Sequence, residues 1–145
     1  MEQLLNRIEN KDITVGVIGL GYVGLPLAVE FGNAGIRTIG IDVNQARVDQ
    51  LNQGDNYIQD VDDAELKALV DAGTFSATTD FSSIKHIDAV CIAVPTPLSK
   101  TKDPDITYIL DVNRELTKYV HKDLIIILES TTYPGTTREL IQPAL

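Results

Sequence analysis

Ile13-Thr14-Val15-Gly16-Val17-Ile18-Gly19-Leu20-Gly21-Tyr22-Val23-Gly24 is the stretch that decides the fold. Its first half, Ile13 to Ile18, is a short apolar run that reads as a buried strand. Its second half, Gly19 to Gly24, reads as a turn. A helix is expected next, over Tyr22 to Ala34, with apolar residues at Val23, Leu27, Ala28 and Phe31. Gly35 follows, where a left-handed C-terminal cap falls. Pro26 lies near the helix start, where a missing N–H does least harm.

The same alternation continues downstream. Strands are expected at Arg37 to Asp42, Phe75 to Thr79, Asp88 to Val94 and Leu124 to Glu129. Helices are expected at Asn44 to Gln53, Asp62 to Ala72 and Ile106 to about Tyr119, the last with Asp105 as its N-cap. A further helix starts at Thr136, and the polar stretch Leu98 to Pro104 reads as a surface loop. Near-continuous apolar strands separated by helices indicate α/β architecture, a doubly wound parallel sheet covered on both faces. Residues 1–12 read as a polar N-terminal extension and residues 13–145 as one domain.

Composition narrows the partners. With 43% hydrophobic and 23% charged residues, the chain has the profile of a globular domain. Its net charge of −9 argues against nucleic acid, which is bound through Lys and Arg. No apolar run is long enough to span a membrane. One cysteine, Cys91, permits no internal disulfide, and the first twelve residues lack a signal-peptide apolar region, so the cytoplasm is expected. Cys91 falls in mid-strand between Val90 and Ile92 and reads as a small buried hydrophobe rather than a nucleophile. His86 and His121 read as solvated surface, and no metal-ligand spacing is present.

The glycines carry the functional signal. Gly19 permits the turn, Gly21 lets backbone approach a pyrophosphate, and Gly24 lets helix pack closely on strand. The N–H groups of Gly21, Tyr22 and Val23 are then free to meet phosphate oxygens at a helix N-terminus. Asp42 ends the second strand 18 positions after Gly24, where an acid accepts hydrogen bonds from an adenosine ribose. A 2′-phosphate there would meet like charge, so the expected cofactor is NAD rather than NADP. Val43 and Asn44 bring no compensating cation, although Arg47 could reach back. The plainer alternative is a tight turn without ligand, with Asp42 capping the second helix.

Two other strand ends stand out, because open parallel sheets bind ligands beyond their carboxyl ends. Val94-Pro95-Thr96-Pro97-Leu98 leaves the most apolar strand, with Thr96 between two prolines. Glu129-Ser130-Thr131-Thr132-Tyr133-Pro134-Gly135-Thr136-Thr137 places three consecutive hydroxyls before a Pro-Gly turn. Such hydroxyls could meet a nicotinamide amide or a water. The alternative is that they cap a helix.

Together with Ala77-Thr78-Thr79-Asp80, these strings resemble the UDP-glucose/GDP-mannose dehydrogenase family, over essentially the whole chain from Ile13. The Pro-Thr-Pro-Leu, Asp103-Pro104-Asp105 and Glu-Ser-Thr-Thr-Tyr-Pro-Gly-Thr-Thr strings resemble its UDP-N-acetylhexosamine branch. The resemblance implies a bacterial enzyme of surface-polysaccharide synthesis that oxidises the 6-hydroxymethyl of a UDP-sugar to a carboxylate with two NAD. It implies Asp42, Val43 and Arg47 on the adenosine ribose side and Val94, Pro95 and Thr96 along the cofactor. Ser130 and Thr131 would reach the nicotinamide, Thr131 helping to position a water. The family's nucleophilic cysteine, lysine and asparagine match no position here. The chain is therefore expected to be an N-terminal part of a longer enzyme, the sheet cut before its last strand, binding NAD without turnover. The resemblance also implies homo-oligomers of the full-length enzyme. Two other readings stand beside this one: a regulatory NAD-sensing module, and a different beta-hydroxyacid dehydrogenase.

Overall fold

The computed structural model describes residues 2–98 and 104–145. Five strands form one parallel sheet: β1 (Thr14–Ile18), β2 (Arg37–Ile41), β3 (Phe75–Thr78), β4 (Ala89–Ile92) and β5 (Ile125–Leu128). Their order is β3-β2-β1-β4-β5. Chain direction along the sheet reverses between β1 and β4, the switch point at which a crevice opens beyond the strand ends.

Helices fill both faces. On one face, α2 (Gly24–Asn33), α3 (Gln45–Asn52) and α4 (Asp63–Asp71) bury Leu25, Leu51 and Leu66 against Val15, Val17 and Phe75. On the other, α5 (Thr107–Tyr119) buries Ile109, Val112 and Leu116 against Ile18, Val90 and Ile92. This two-sided burial is why the strands read as continuous apolar runs rather than alternating ones.

The elements end where their local chemistry dictates. Gly35, at φ 82°, closes α2, with the Ile36 N–H returning to the Phe31 carbonyl. Asn44 caps α3 by accepting the Arg47 N–H, and Asp62 caps α4 through the N–H groups of Ala64 and Glu65. Asp105 accepts both the N–H and the hydroxyl of Thr107, one residue earlier than a regular N-cap. The Thr107 hydroxyl, and then its amide, hold the Asp105 carboxyl below its ordinary range.

The structure adds to the expected elements. The polar stretch before β1 contains a helix, α1 (Glu2–Glu9). Arg7 from that helix pairs in two-pronged fashion with Asp88 at 2.7 and 2.9 Å, and Asp88 also accepts the Thr14 N–H. A turn of 3-10 helix over Phe81–His86, capped by Asp80, carries the chain across to β4. His121 is exposed but not merely solvated. Its Nε2 lies 3.0 Å from the Ile87 carbonyl and its Nδ1 2.9 Å from that of Lys122, so it ties the start of β5 to that crossover. His86 is exposed at the end of the turn, as expected. The segment after β5 forms a short wide turn, Thr137–Ile141, and a 3-10 turn, Gln142–Ala144. Most of the expected loop from Leu98 to Pro104, Asp103 included, lies outside the described residues.

The two sheet edges differ. At β3, Asn52 accepts the Ala77 N–H and donates to the Ala77 carbonyl, imitating a neighbouring strand. At β5, Ile125 and Ile127 remain more than a third exposed. They are in register with Ala89 and Cys91 of β4, so they share the face that carries α2. Among the described residues no helix is long and apolar enough to cross a membrane, and no cluster of His, Cys, Asp and Glu could hold a metal.

Cys91 is buried in β4, as its position between Val90 and Ile92 suggests. Burial, aided by the nearby Glu129 charge, pushes its thiol up to about 11. At pH 7.5 iodoacetamide should therefore label Cys91 only as fast as the chain opens. Labelling of folded protein at the rate of a free thiol would contradict this placement.

Candidate cofactor-binding site

The glycine turn leaves β1 and folds back sharply. Gly19 has φ 91°, and a Cβ there would press on the Ala93 carbonyl at the end of β4. A Cβ on Gly24 would overlap the Gly19 carbonyl oxygen, so helix and strand meet at that point only without a side chain. At Gly21 a Cβ would meet nothing within 4 Å. Gly21 is thus not required by the fold itself; its bareness serves whatever lies outside.

Leu20 anchors the turn. Its side chain is fully buried, and its methyl carbons would lie 2.7 and 2.8 Å from a Cβ at Gly40, so the bare backbone of β2 forms its socket. Its N–H donates to Asp42 Oδ2 at 2.9 Å, and its carbonyl accepts the Tyr57 hydroxyl at 2.6 Å. Asp42 is itself buried, and its Oδ1 accepts the Asn44 N–H at 2.9 Å. Asp42 therefore binds the glycine turn to the start of α3, whose cap is Asn44. Arg47 does reach back: Nη1 lies 3.8 Å from Asp42 Oδ2, and its guanidinium stands 5.4 Å over the Tyr57 ring.

Beyond this anchor the backbone is bare. The N–H groups of Gly21, Tyr22 and Val23 have no acceptor among the described residues. No side chain caps α2, and no acid sits in its first turn. Orphan amides at an uncapped helix N-terminus attract an anion.

A cleft of 440 Å³ opens on these amides. Its walls are the glycine turn, Asp42, Arg47, the β4 exit from Ala93 to Thr96 and the β5 exit from Glu129 to Thr131. All the expected site residues except Gly24 and Val43 line it. Gly24 is buried beneath the turn, and Val43, 83% exposed, lines a second hollow instead. That hollow, 480 Å³, shares Gly19, Asp42, Arg47, Val94 and Pro95 with the first. Phe81, Tyr108 and Val112 give it apolar walls, while Asp111 and Glu115 stand at its polar side. A larger hollow of 630 Å³ over Asn56 to Asp63 carries three aspartates and no strand end, the wrong setting for a phosphate.

The hydroxyls after β5 divide. Ser130 is half-buried and donates to the Val94 carbonyl at 2.8 Å, lashing the two strand exits together. Thr131 is exposed and its hydroxyl has no partner among the described residues. Thr136 donates to the Tyr133 carbonyl, so in its 2.7 Å pair with Thr132 the proton comes from Thr132. The hydroxyl run is thus partly turn-forming and partly open to the cleft.

The sequence reading missed Tyr57, Phe81 and Tyr108. Tyr108 could have been placed from topology, since the first turn of α5 flanks the switch point. Tyr57 carried no local signal: it lies 37 residues from its partner, in an irregular loop.

Residues 13–145 match the model of the UDP-glucose/GDP-mannose dehydrogenase family, NAD binding domain. The chain belongs to this family. It is 43% identical over 136 residues to UDP-N-acetyl-D-glucosamine 6-dehydrogenase from Pseudomonas aeruginosa, covering 93% of this chain and 31% of that protein. It is 38% identical over 130 residues to UDP-N-acetyl-D-mannosamine dehydrogenase from Escherichia coli K12, covering 89% and 30%. Among solved structures, NDP-N-acetyl-D-galactosaminuronic acid dehydrogenase from Methanosarcina mazei Go1 superposes with a TM-score of 0.85 at 34% identity, over 99% of this chain and 32% of that one. The chain thus spans about a third of the length of the proteins it matches.

The two glycines separate fold from ligand. Gly24→Ala should destabilise the chain by roughly 3 kcal/mol, because backbone cannot yield as a side chain does. Gly21→Ala should unfold within about 1 kcal/mol of the original in urea. Equal losses at the two positions would contradict the geometry.

Proposed function

We propose that this chain binds NAD across the β1–β4 switch point, as the cofactor unit of a longer UDP-sugar 6-dehydrogenase. The observation that carries the reading is the row of unpartnered amides at Gly21, Tyr22 and Val23, facing a cleft that ends at Asp42. An acidic chain can hold a pyrophosphate this way without a basic patch. In this reading those amides bind the pyrophosphate, and Asp42, held still by two backbone N–H groups, keeps lone pairs for the adenosine ribose hydroxyls. The hollow walled by Val43, Phe81, Tyr108 and Val112 takes the adenine. Val94, Pro95 and Thr96 line the path between the two halves, and Thr131 presents its hydroxyl at the nicotinamide end.

Bound NAD would supply the hydride acceptor. Ser130 contributes by holding the β4 and β5 exits at a fixed spacing, and Thr131 by orienting a water or substrate oxygen. Cys91 cannot form the covalent intermediates of the family's chemistry, being buried with a raised thiol pKa. Turnover needs a cysteine from outside these residues. The UDP-N-acetylhexosamine enzymes among the relatives support a substrate of that class, and a cytoplasmic setting suits it. Residues 13–145 act as the cofactor unit, with α1 as a brace on its β4 side.

Calorimetric titration tests this reading. NAD should bind, NADP at least about tenfold more weakly because Asp42 repels a 2′-phosphate, and Gly21→Ala should lose NAD while staying folded. No heat at millimolar NAD, or tighter binding of NADP, would overturn it.

A further inference from the structure

The Leu20–Gly21 peptide bond joins two groups with opposite duties. Its carbonyl accepts the Tyr57 hydroxyl at 2.6 Å, and its N–H belongs to Gly21, one of the unpartnered amides of the cleft. A trans peptide is planar, and its C=O and N–H point to opposite sides. Whatever pins the carbonyl therefore aims the amide. The Leu20 carbonyl is drawn toward the α3–α4 loop, so the Gly21 N–H is turned the other way, and Gly21 lines the cleft. We propose that Tyr57 is a positioning residue for the cofactor, its hydroxyl holding the Leu20 carbonyl so that the Gly21 N–H faces the pyrophosphate. This rests on the NAD reading above and names a residue that acts on NAD without touching it.

Three further observations support the role. A bonded carbonyl polarises its peptide, which makes the Gly21 N–H a stronger donor. Burial, together with the Asp42 charge, pushes the Tyr57 phenol up to about 12, so the hydroxyl keeps its proton at every pH at which the enzyme could work. The Tyr57 ring also lies beneath the Arg47 guanidinium, whose other neighbour is Asp42. One side chain thus touches the backbone of the pyrophosphate turn and the cation beside the ribose carboxylate.

The test is Tyr57→Phe, which removes the hydroxyl and keeps the ring under Arg47. NAD and adenosine are titrated separately, and the Gly21 15N–1H resonance is followed in the ligand-free chain. NAD affinity should fall about three- to tenfold, the range of one hydrogen bond. Adenosine, which lacks the pyrophosphate, should bind within about twofold of its original affinity, and the Gly21 resonance should move. Unchanged NAD affinity, or equal weakening of NAD and adenosine, overturns the proposal. Site-specific fluorotyrosine at position 57, a stronger donor of nearly the same volume, should bind NAD at least as well as the original. A loss there equal to that of Phe would also overturn it. If the original chain does not bind NAD, the cofactor reading fails and takes this one with it. If the original binds and Tyr57→Phe binds equally, only the role of Tyr57 fails.

Discussion

Leu20 is held on three sides. Its side chain fills the socket left by Gly40, its amide is bonded to the buried Asp42, and its carbonyl is bonded to Tyr57. Burying a leucine is worth about 1.5–3 kcal/mol, and a hydrogen bond to a charged group about as much again. That one residue joins β1, β2, the start of α3 and the α3–α4 loop. The glycines on either side of it could otherwise adopt many conformations. With Leu20 fixed, the turn presents its next three amides outward, and α2 starts at Gly24 with no cap of its own.

The rest of the site depends on that arrangement through the sheet order. Parallel pairing of β1 with β4 sets the β4 exit beside the glycine turn, and pairing of β4 with β5 brings Ser130 within reach of the Val94 carbonyl. The crevice is a consequence of the reversal between β1 and β4 rather than of any one side chain. Electrostatics fit the same picture. The chain is acidic overall, yet the glycine turn seeks an anion through backbone dipoles, where no acid stands in the first turn of α2. Asp42 is the exception, a buried carboxylate whose charge is opposed by Arg47 and spread over two N–H groups.

Features written in short stretches of sequence were legible there. The glycine turn, Asp42 at the end of β2, the two prolines after β4 and the hydroxyl run after β5 are all local, and Gly19, Gly21, Asp42, Pro95, Ser130 and Thr131 among them open on the cleft. Gly24 was legible for the opposite reason, because close helix–strand contact needs it buried. Features created by contact between distant residues were not. Arg7 gives no sign of Asp88, 81 positions away, so residues 1–12 read as an extension rather than a docked helix. Ser130 read as a nicotinamide contact, but its proton is committed to a backbone carbonyl, which no reading of Glu-Ser-Thr alone could show. His121 looked solvated because its partners are carbonyls, and carbonyls leave no mark in a sequence. Its connection to Leu20 likewise kept Tyr57 out of sight.

Amide hydrogen exchange across the glycine turn measures the central claim directly. The Leu20 amide, bonded to Asp42, should exchange as slowly as the core of β1 without any ligand. The Gly21, Tyr22 and Val23 amides should exchange rapidly in the free chain and slow sharply when NAD is added. A Leu20 amide as labile as its neighbours, or Gly21 to Val23 amides indifferent to NAD, would contradict it.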